Sequence, residues 1–318
     1  MQRRVSMADV AAAAGVSGQT VSRVVNGSPR VDPETRARIE AAMADLGYRP
    51  HRAARALRTG RSGTIGVIVA TLATVGNSRM LEAVASAAAR RDLAVTLISL
   101  AERTGIADAF DRLHDLGVDG AIVLNEATAI AEGVAPPAGL ALVAVDSPGG
   151  AFATVQSDHA GGAEAATRRL TDAGRRAIAH VAGPAGSFAA AERERGWRAA
   201  HDGPPPREPL RGDWGAASGH AAGVVLAADP GVDAVFAAND QMALGVLRAL
   251  AEAGREDVAV IGFDDVADAA DYRPPLTTVR QDFDALGEAA VAALAATLDG
   301  EPATRTVVPT TLIARASG

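Results

Sequence analysis

Residues 17–26 read Ser17-Gly18-Gln19-Thr20-Val21-Ser22-Arg23-Val24-Val25-Asn26. Wound as an α-helix, the stretch puts Val21, Val24 and Val25 on one side and Gln19, Ser22, Arg23 and Asn26 on the other. Ser17 has the side chain of an N-cap, and Asn26 with Gly27 supplies the stop. Such a helix buries its valines and turns amides, a hydroxyl and a guanidinium outward. Those groups suit base edges in a DNA major groove, Gln pairing with adenine and Arg with guanine. In isolation the same helix would serve as a solvated surface element, so its neighbours decide.

Upstream, Ser6-Met7-Ala8-Asp9 has the form of a capping box and opens a helix that runs to Ala14. Gly15 breaks it, and Ser17 caps the next. Two short helices across a tight glycine turn form a helix-turn-helix, whose second helix reads DNA. A third helix is predicted from Asp32 as cap, with Pro33 in its first turn, to Gly47. Its Ile39, Ala42, Met43 and Leu46 would close a three-helix core.

Charge supports this division. The chain of 318 residues carries −7 overall, yet residues 1–62 hold 11 Arg against 5 Asp/Glu, or +6. The remainder holds 20 Arg against 33 Asp/Glu, or −13, the pattern of a basic nucleic-acid-binding head on an acidic body. Cysteine is absent, which excludes disulfides and Cys-based chemistry, and the six histidines lack metal-ligand spacing. No apolar run is long enough for a membrane span. Met-Gln-Arg-Arg-Val-Ser-Met lacks a secretory apolar core, so a cytoplasmic location, at the nucleoid through DNA, is expected.

From Thr64 onward the pattern alternates. Apolar runs at 65–70, 94–100, 121–124, 140–145, 177–181, 235–238 and 258–262 read as buried parallel strands. Helical stretches, among them 77–91, 160–174, 189–200, 240–254 and 283–298, lie between them. This alternation predicts parallel, doubly wound α/β sheets, and its length predicts two lobes. Ligands of such sheets bind beyond the strand C-termini, where Asp146, Asn239-Asp240 and Asp264-Asp265 stand. Asp240 and Asp265 read as caps, and Trp197 reads as core.

Ala8-Asp9-Val10-Ala11, Ala14-Gly15-Val16-Ser17, Thr20 to Gly27 and Leu46-Gly47-Tyr48-Arg49-Pro50 resemble the head of the LacI/GalR family of bacterial repressors. The resemblance extends over the whole chain, through Gly212-Asp213-Trp214, Ala238-Asn239-Asp240-Gln241-Met242 and Pro274-Pro275-Leu276-Thr277-Thr278. It implies an all-α helix-turn-helix head at 1–48, a hinge helix at 49–62, and a type I periplasmic-binding-protein-like body at 63–318. The body's first lobe would take 63–157 and 283–306, and its second 158–282 and 307–318.

In the head, Ser17, Gly18, Gln19, Thr20, Ser22, Arg23 and Asn26 are the implied DNA contacts. Gly18 replaces an aromatic residue, so no operator sequence carries over. In the hinge, His51, Ala54 and Leu57 would meet the minor groove, Leu57 as an apolar wedge between base steps.

For the ligand, the resemblance implies Asp146, Arg193, Asn239, Asp264 and Gln281, with Trp214 as an aromatic wall and Asn77 and Phe283 beside them. Carboxylates accept from vicinal hydroxyls, while Arg and Asn span two oxygens, chemistry that fits a neutral polyol. The implied protein is a homodimeric repressor of operator DNA released by a sugar, a galactoside or another mono- or disaccharide. It would have no catalytic residue, metal or cofactor. Helices near 77–91 and 240–254 are the expected dimer contacts, and the chain ends without heptads, so a dimer rather than a tetramer is expected. A corepressor response of the same fold, a free sugar-binding protein, and an enzyme using Asp264 and Asp265 as an acid/base pair are the alternatives.

Overall fold

The computed structural model describes residues 5–25, 27–48, 60–100, 105–201 and 203–318, in two compact units, Met1–Ser62 and Gly63–Gly318. Among the described residues no helix is long and apolar enough to cross a membrane.

The first unit holds three helices, α1 (Met7–Ala14), α2 (Gly18–Val25) and α3 (Pro33–Asp45). Ser6 and Asp9 complete the capping box: Asp9 N–H donates to Ser6 Oγ at 3.3 Å, and Ser6 N–H to Asp9 Oδ2 at 2.8 Å. Gly15 closes α1 in the left-handed region at φ 63°, a conformation that costs glycine nothing. Its neighbour Val16 then returns its N–H to Ala11 O, which aims the chain into α2. Ser17 Oγ accepts from Thr20 N–H at 3.2 Å, and Asp32 Oδ1 from Thr35 N–H at 2.8 Å, capping α2 and α3. Val10, Ala11, Ala14, Val21, Val24, Val31, Ile39 and Ala42 form the core. Leu46, predicted to join them, is instead exposed, because α3 ends at Asp45 and Tyr48 packs against the cluster after the turn.

The second unit contains two six-stranded sheets. The first has the order β2-β1-β3-β4-β5-β11, from β1 (Thr64–Val69), β2 (Ala94–Ser99), β3 (Gly120–Leu124), β4 (Ala141–Val145), β5 (Ala153–Ser157) and β11 (Arg305–Val308), all parallel. The second has the order β7-β6-β8-β9-β10-β12, from β6 (Ile178–Ala182), β7 (Leu210–Arg211), β8 (Ala234–Ala237), β9 (Ala259–Asp264), β10 (Thr277–Arg280) and β12 (Thr311–Ile313). Only β12 runs antiparallel to its neighbour.

Central strands are buried on both faces, as helices on both sides require. The edge strand β2, read as buried from its apolar run, is largely half-exposed, with Leu97 open to solvent. On one face of the first sheet lie α4 (Val75–Ala89) and α11 (Phe283–Leu298); on the other lie α5 (Ile106–Asp115) and α6 (Glu126–Ala131). The second sheet is covered by α7 (His159–Asp172) and α8 (Phe188–Ala199) on one face. On its other face lie α9 (Ala216–Ala227) and α10 (Asp240–Glu252). Trp197 of α8 is fully buried on the α7–α8 face, stacked on His180 with ring centroids 5.2 Å apart.

The chain passes between lobes three times. It leaves the first sheet after Ser157 for α7, returns from β10 into α11, and leaves again between Val308 and Thr311. Both sheets therefore turn the C-terminal ends of their strands toward the same inter-lobe cleft.

Candidate functional site

In the head, Ser17, Gly18, Gln19 and Arg23 are exposed, and Thr20 and Ser22 are half-buried. The valines opposite them are held in the core, so α2 presents its polar face outward. Asn26, His51, Ala54 and Leu57 lie outside the described residues.

The inter-lobe cavity is lined by residues of both lobes, and polar side chains converge on it from each. All eight ligand residues expected from the sequence line it: Asn77, Asp146, Arg193, Trp214, Asn239, Asp264, Gln281 and Phe283. Six arrive by a strand or helix end, while Arg193 lies mid-helix and Trp214 in the loop after β7. Asp146 follows β4, Asp264 ends β9 and Gln281 follows β10; Asn77 and Phe283 lie in the first turns of α4 and α11.

Arg193, on α8, is the centre of the second lobe's wall. Its guanidinium carbon lies 3.9 Å from the Phe263 ring centroid and 5.5 Å from that of Trp214. Nη1 donates to Ala238 O and lies 3.4 Å from Asp264 Oδ1. Burial draws Arg193 below its ordinary value and pushes Asp264 above its own, each opposed by the attraction between them. Arginine keeps its proton in proteins, so the guanidinium is the fixed charge of the pair.

Gln281 is held at both ends: Nε2 donates to Asp264 Oδ1 at 2.7 Å, and Oε1 accepts from Ser157 Oγ at 2.6 Å. Asn239 caps α10 through Oδ1, which accepts from Met242 N–H at 3.0 Å, while Nδ2 donates to Trp214 O at 3.0 Å. Asn239 thereby fixes the loop that carries the indole.

Four residues lining the cavity hold positive φ without being glycine: Asn125 at 50°, Asp146 at 55°, Trp214 at 72° and Asp264 at 117°. Each such conformation costs on the order of 1–3 kcal/mol, strain that folded proteins retain chiefly at functional sites.

Three contributors escaped the sequence reading. Asn125 and Glu126 directly follow the apolar run 121–124, a strand end of the kind that marks Asp146 and Asp264, and this signal could have found them. His159 carries no such mark. It is buried, with Nε2 2.8 Å from Asp146 Oδ1 and Nδ1 accepting from Arg193 Nε at 3.3 Å.

Asp240 and Asp265, read as caps, are clamps. Asp240 lies within α10, where Oδ2 accepts from Val266 N–H at 2.9 Å and Oδ1 bonds Thr278 Oγ1 at 2.5 Å. Asp265 pairs with Arg280 and Arg315, each at 2.7 Å, and does not line the cavity. Asp264 and Asp265 thus form no acid/base pair across one ligand.

A polar, strained cleft between two α/β lobes, in a chain that begins with a helix-turn-helix, defines a ligand-responsive DNA-binding regulator. Residues 6–51 match the bacterial regulatory proteins of the lacI family, and residues 167–318 match the periplasmic binding protein-like domain. The chain is 36% identical over 299 residues to the lactose operon repressor of Escherichia coli (strain K12), covering 90% of this chain and 83% of that one. Among solved structures, it resembles the lac repressor dimer bound to operator and the anti-inducer ONPF, with TM-score 0.84 and 33% identity over 99% of each chain. The transcriptional regulator CelR in complex with cellobiose matches with TM-score 0.71 and 34% identity, over 99% of this chain and 100% of that one. The chain belongs to the lacI family of bacterial regulatory proteins, and it is a DNA-binding transcriptional repressor.

Proposed function

We propose that the protein acts in the cytoplasm as a homodimer that holds a near-palindromic operator and releases it when a sugar fills the inter-lobe cleft. Residues 1–48 read DNA, 49–62 link, and 63–318 bind sugar and dimerise. Two reading helices about one helical turn apart on DNA need two-fold symmetry, hence the dimer. Gln19 and Arg23 read base edges; Ser17, Thr20 and Ser22 fix the register on the backbone.

The observation that carries the reading is the set of eight residues that converge on one inter-lobe cavity. Asp146 and Asp264 accept from ring hydroxyls, Arg193 and Asn239 donate to them, and Trp214 covers the apolar face of a pyranose. The relatives include a repressor of a lactose operon and a regulator crystallised with cellobiose, so a disaccharide is the first choice and a galactoside one form of it.

Sugar acts by population shift. It favours one arrangement of the lobes, and only by its differential affinity for the two. Fluorescence anisotropy of an operator duplex, selected from random DNA, tests this during titration with lactose or cellobiose. Weaker DNA binding with sugar is expected. Tighter binding would make the sugar a corepressor.

A further inference from the structure

Three carboxylates face the single arginine of the cavity. Asp146 and Glu126 come from the first lobe, Asp264 and Arg193 from the second. Among the described lining residues carboxylates thus outnumber cations. His159 adds no compensating charge, since its Nδ1 accepts from Arg193 Nε while Nε2 carries the proton toward Asp146.

Glu126 is the unbalanced member. Arg193 stands beside Asp264, and His159 beside Asp146, but Glu126 forms no ion pair among the described residues. Its partners are neutral donors from both lobes: Oε1 accepts from Trp214 Nε1 at 3.0 Å, and Oε2 from Asn77 Nδ2 at 3.1 Å. The carboxylate sits at the indole edge, beside the surface on which a ligand would lie.

We propose that Glu126 is a specificity-determining residue of the cleft, turning it against anionic saccharides and toward those that present hydroxyl or ammonium donors. This rests on reading the cleft as a sugar site. A hydroxyl can take the place of the Trp214 or Asn77 N–H at Glu126 with little change in energy. A uronate or phosphate there sets like charges together between low-dielectric walls, a juxtaposition that costs binding heavily. An ammonium gains what the anion loses.

Two measurements on the full-length protein and Glu126→Gln test this, the substitution keeping size and shape. The first needs no ligand. Trp197 is fully buried and Trp214 is 9% exposed at the cleft, so any quenching reports Trp214, and a negative cleft repels iodide but not acrylamide. The ratio of iodide to acrylamide quenching constants is expected to rise at least about twofold in Glu126→Gln; an unchanged ratio would overturn the proposal. The second is calorimetric titration with cellobiose, glucose, glucosamine, glucuronate and glucose 6-phosphate. Glucuronate and glucose 6-phosphate are expected to bind at least about tenfold more weakly than glucose, and the gap to shrink by a similar factor in the variant. Equal binding of glucose and its anions by the wild type would refute the selection. A quenching response without binding of any sugar would instead support the charge selection and overturn the sugar reading.

Discussion

His159 Nε2 lies 2.8 Å from Asp146 Oδ1, a buried contact that joins the first residue of α7 in one lobe to the end of β4 in the other. Arg193 Nε donates to the same ring from the opposite side, so His159 stands between a carboxylate of one lobe and a guanidinium of the other. Removing it leaves both buried groups short of a partner. His159→Ala is expected to cost about 2–4 kcal/mol of stability. Urea unfolding measures it, and a change below about 0.5 kcal/mol would show that cleft water replaces the ring.

Asp240 makes stability depend on pH in a direction that can be worked out. Burial, and then the charge of Asp264, pushes its carboxyl up to about 8 from an ordinary 3.8. Between those values the native state holds a proton that the unfolded chain has released. The group's contribution to folding is therefore full below about pH 4 and declines as pH rises toward 8. Asp240→Asn keeps the shape of the protonated acid, with an amide for Thr278 Oγ1 and an oxygen for Val266 N–H. The stability of wild type relative to this variant should fall steadily from pH 4 to 8 in chemical unfolding; parallel curves would contradict the assignment.

Helices α9 and α10 touch at glycines. A Cβ on Gly245 would stand 2.1 Å from Ala216 O and 2.4 Å from His220 N, backbone atoms that a rotamer change does not move. Gly245→Ala must push the helices apart, at a cost of at least about 2 kcal/mol. A melting temperature equal to wild type would mean that the pair slides without loss.

Arg23 is exposed on the polar face of α2, and the proposed function has it read one base pair. Arg23→Ala should lose about 1–3 kcal/mol at a single operator position and relax specificity there. A uniform loss across operator variants would place the guanidinium on phosphate instead.

The parts legible in the sequence are those whose physics is local. The capping residues Ser6, Ser17 and Asp32 and the turn at Gly15 mark the three head helices within a few residues, and runs such as 121–124 and 235–238 could only be buried strands. The polar strand ends Asp146 and Asp264 drew attention for the same reason. Strands β5, β7, β10, β11 and β12 are less apolar or very short, and pairing rather than composition makes them strands. Glu126 meets Trp214 across 88 residues of chain, and His159 of the second lobe meets Asp146 of the first, so these roles arise only when the lobes are assembled. Leu46 failed for a smaller reason: a helix ending one residue earlier turns the next side chain to solvent.

Sugar in the inter-lobe cleft is proposed to weaken the hold of the head on DNA. Operator affinity by anisotropy, with and without saturating disaccharide, on wild type and Arg193→Ala side by side, tests it most directly. Arg193 lies in the cleft and in the body unit, and the operator affinity of the variant without sugar is the baseline from which its sugar response is read. Wild type should lose at least about tenfold in affinity when sugar is added, a coupling of about 1.4 kcal/mol, while Arg193→Ala should lose almost none. A sugar response that survives in Arg193→Ala, or tighter operator binding with sugar in the wild type, would contradict the account.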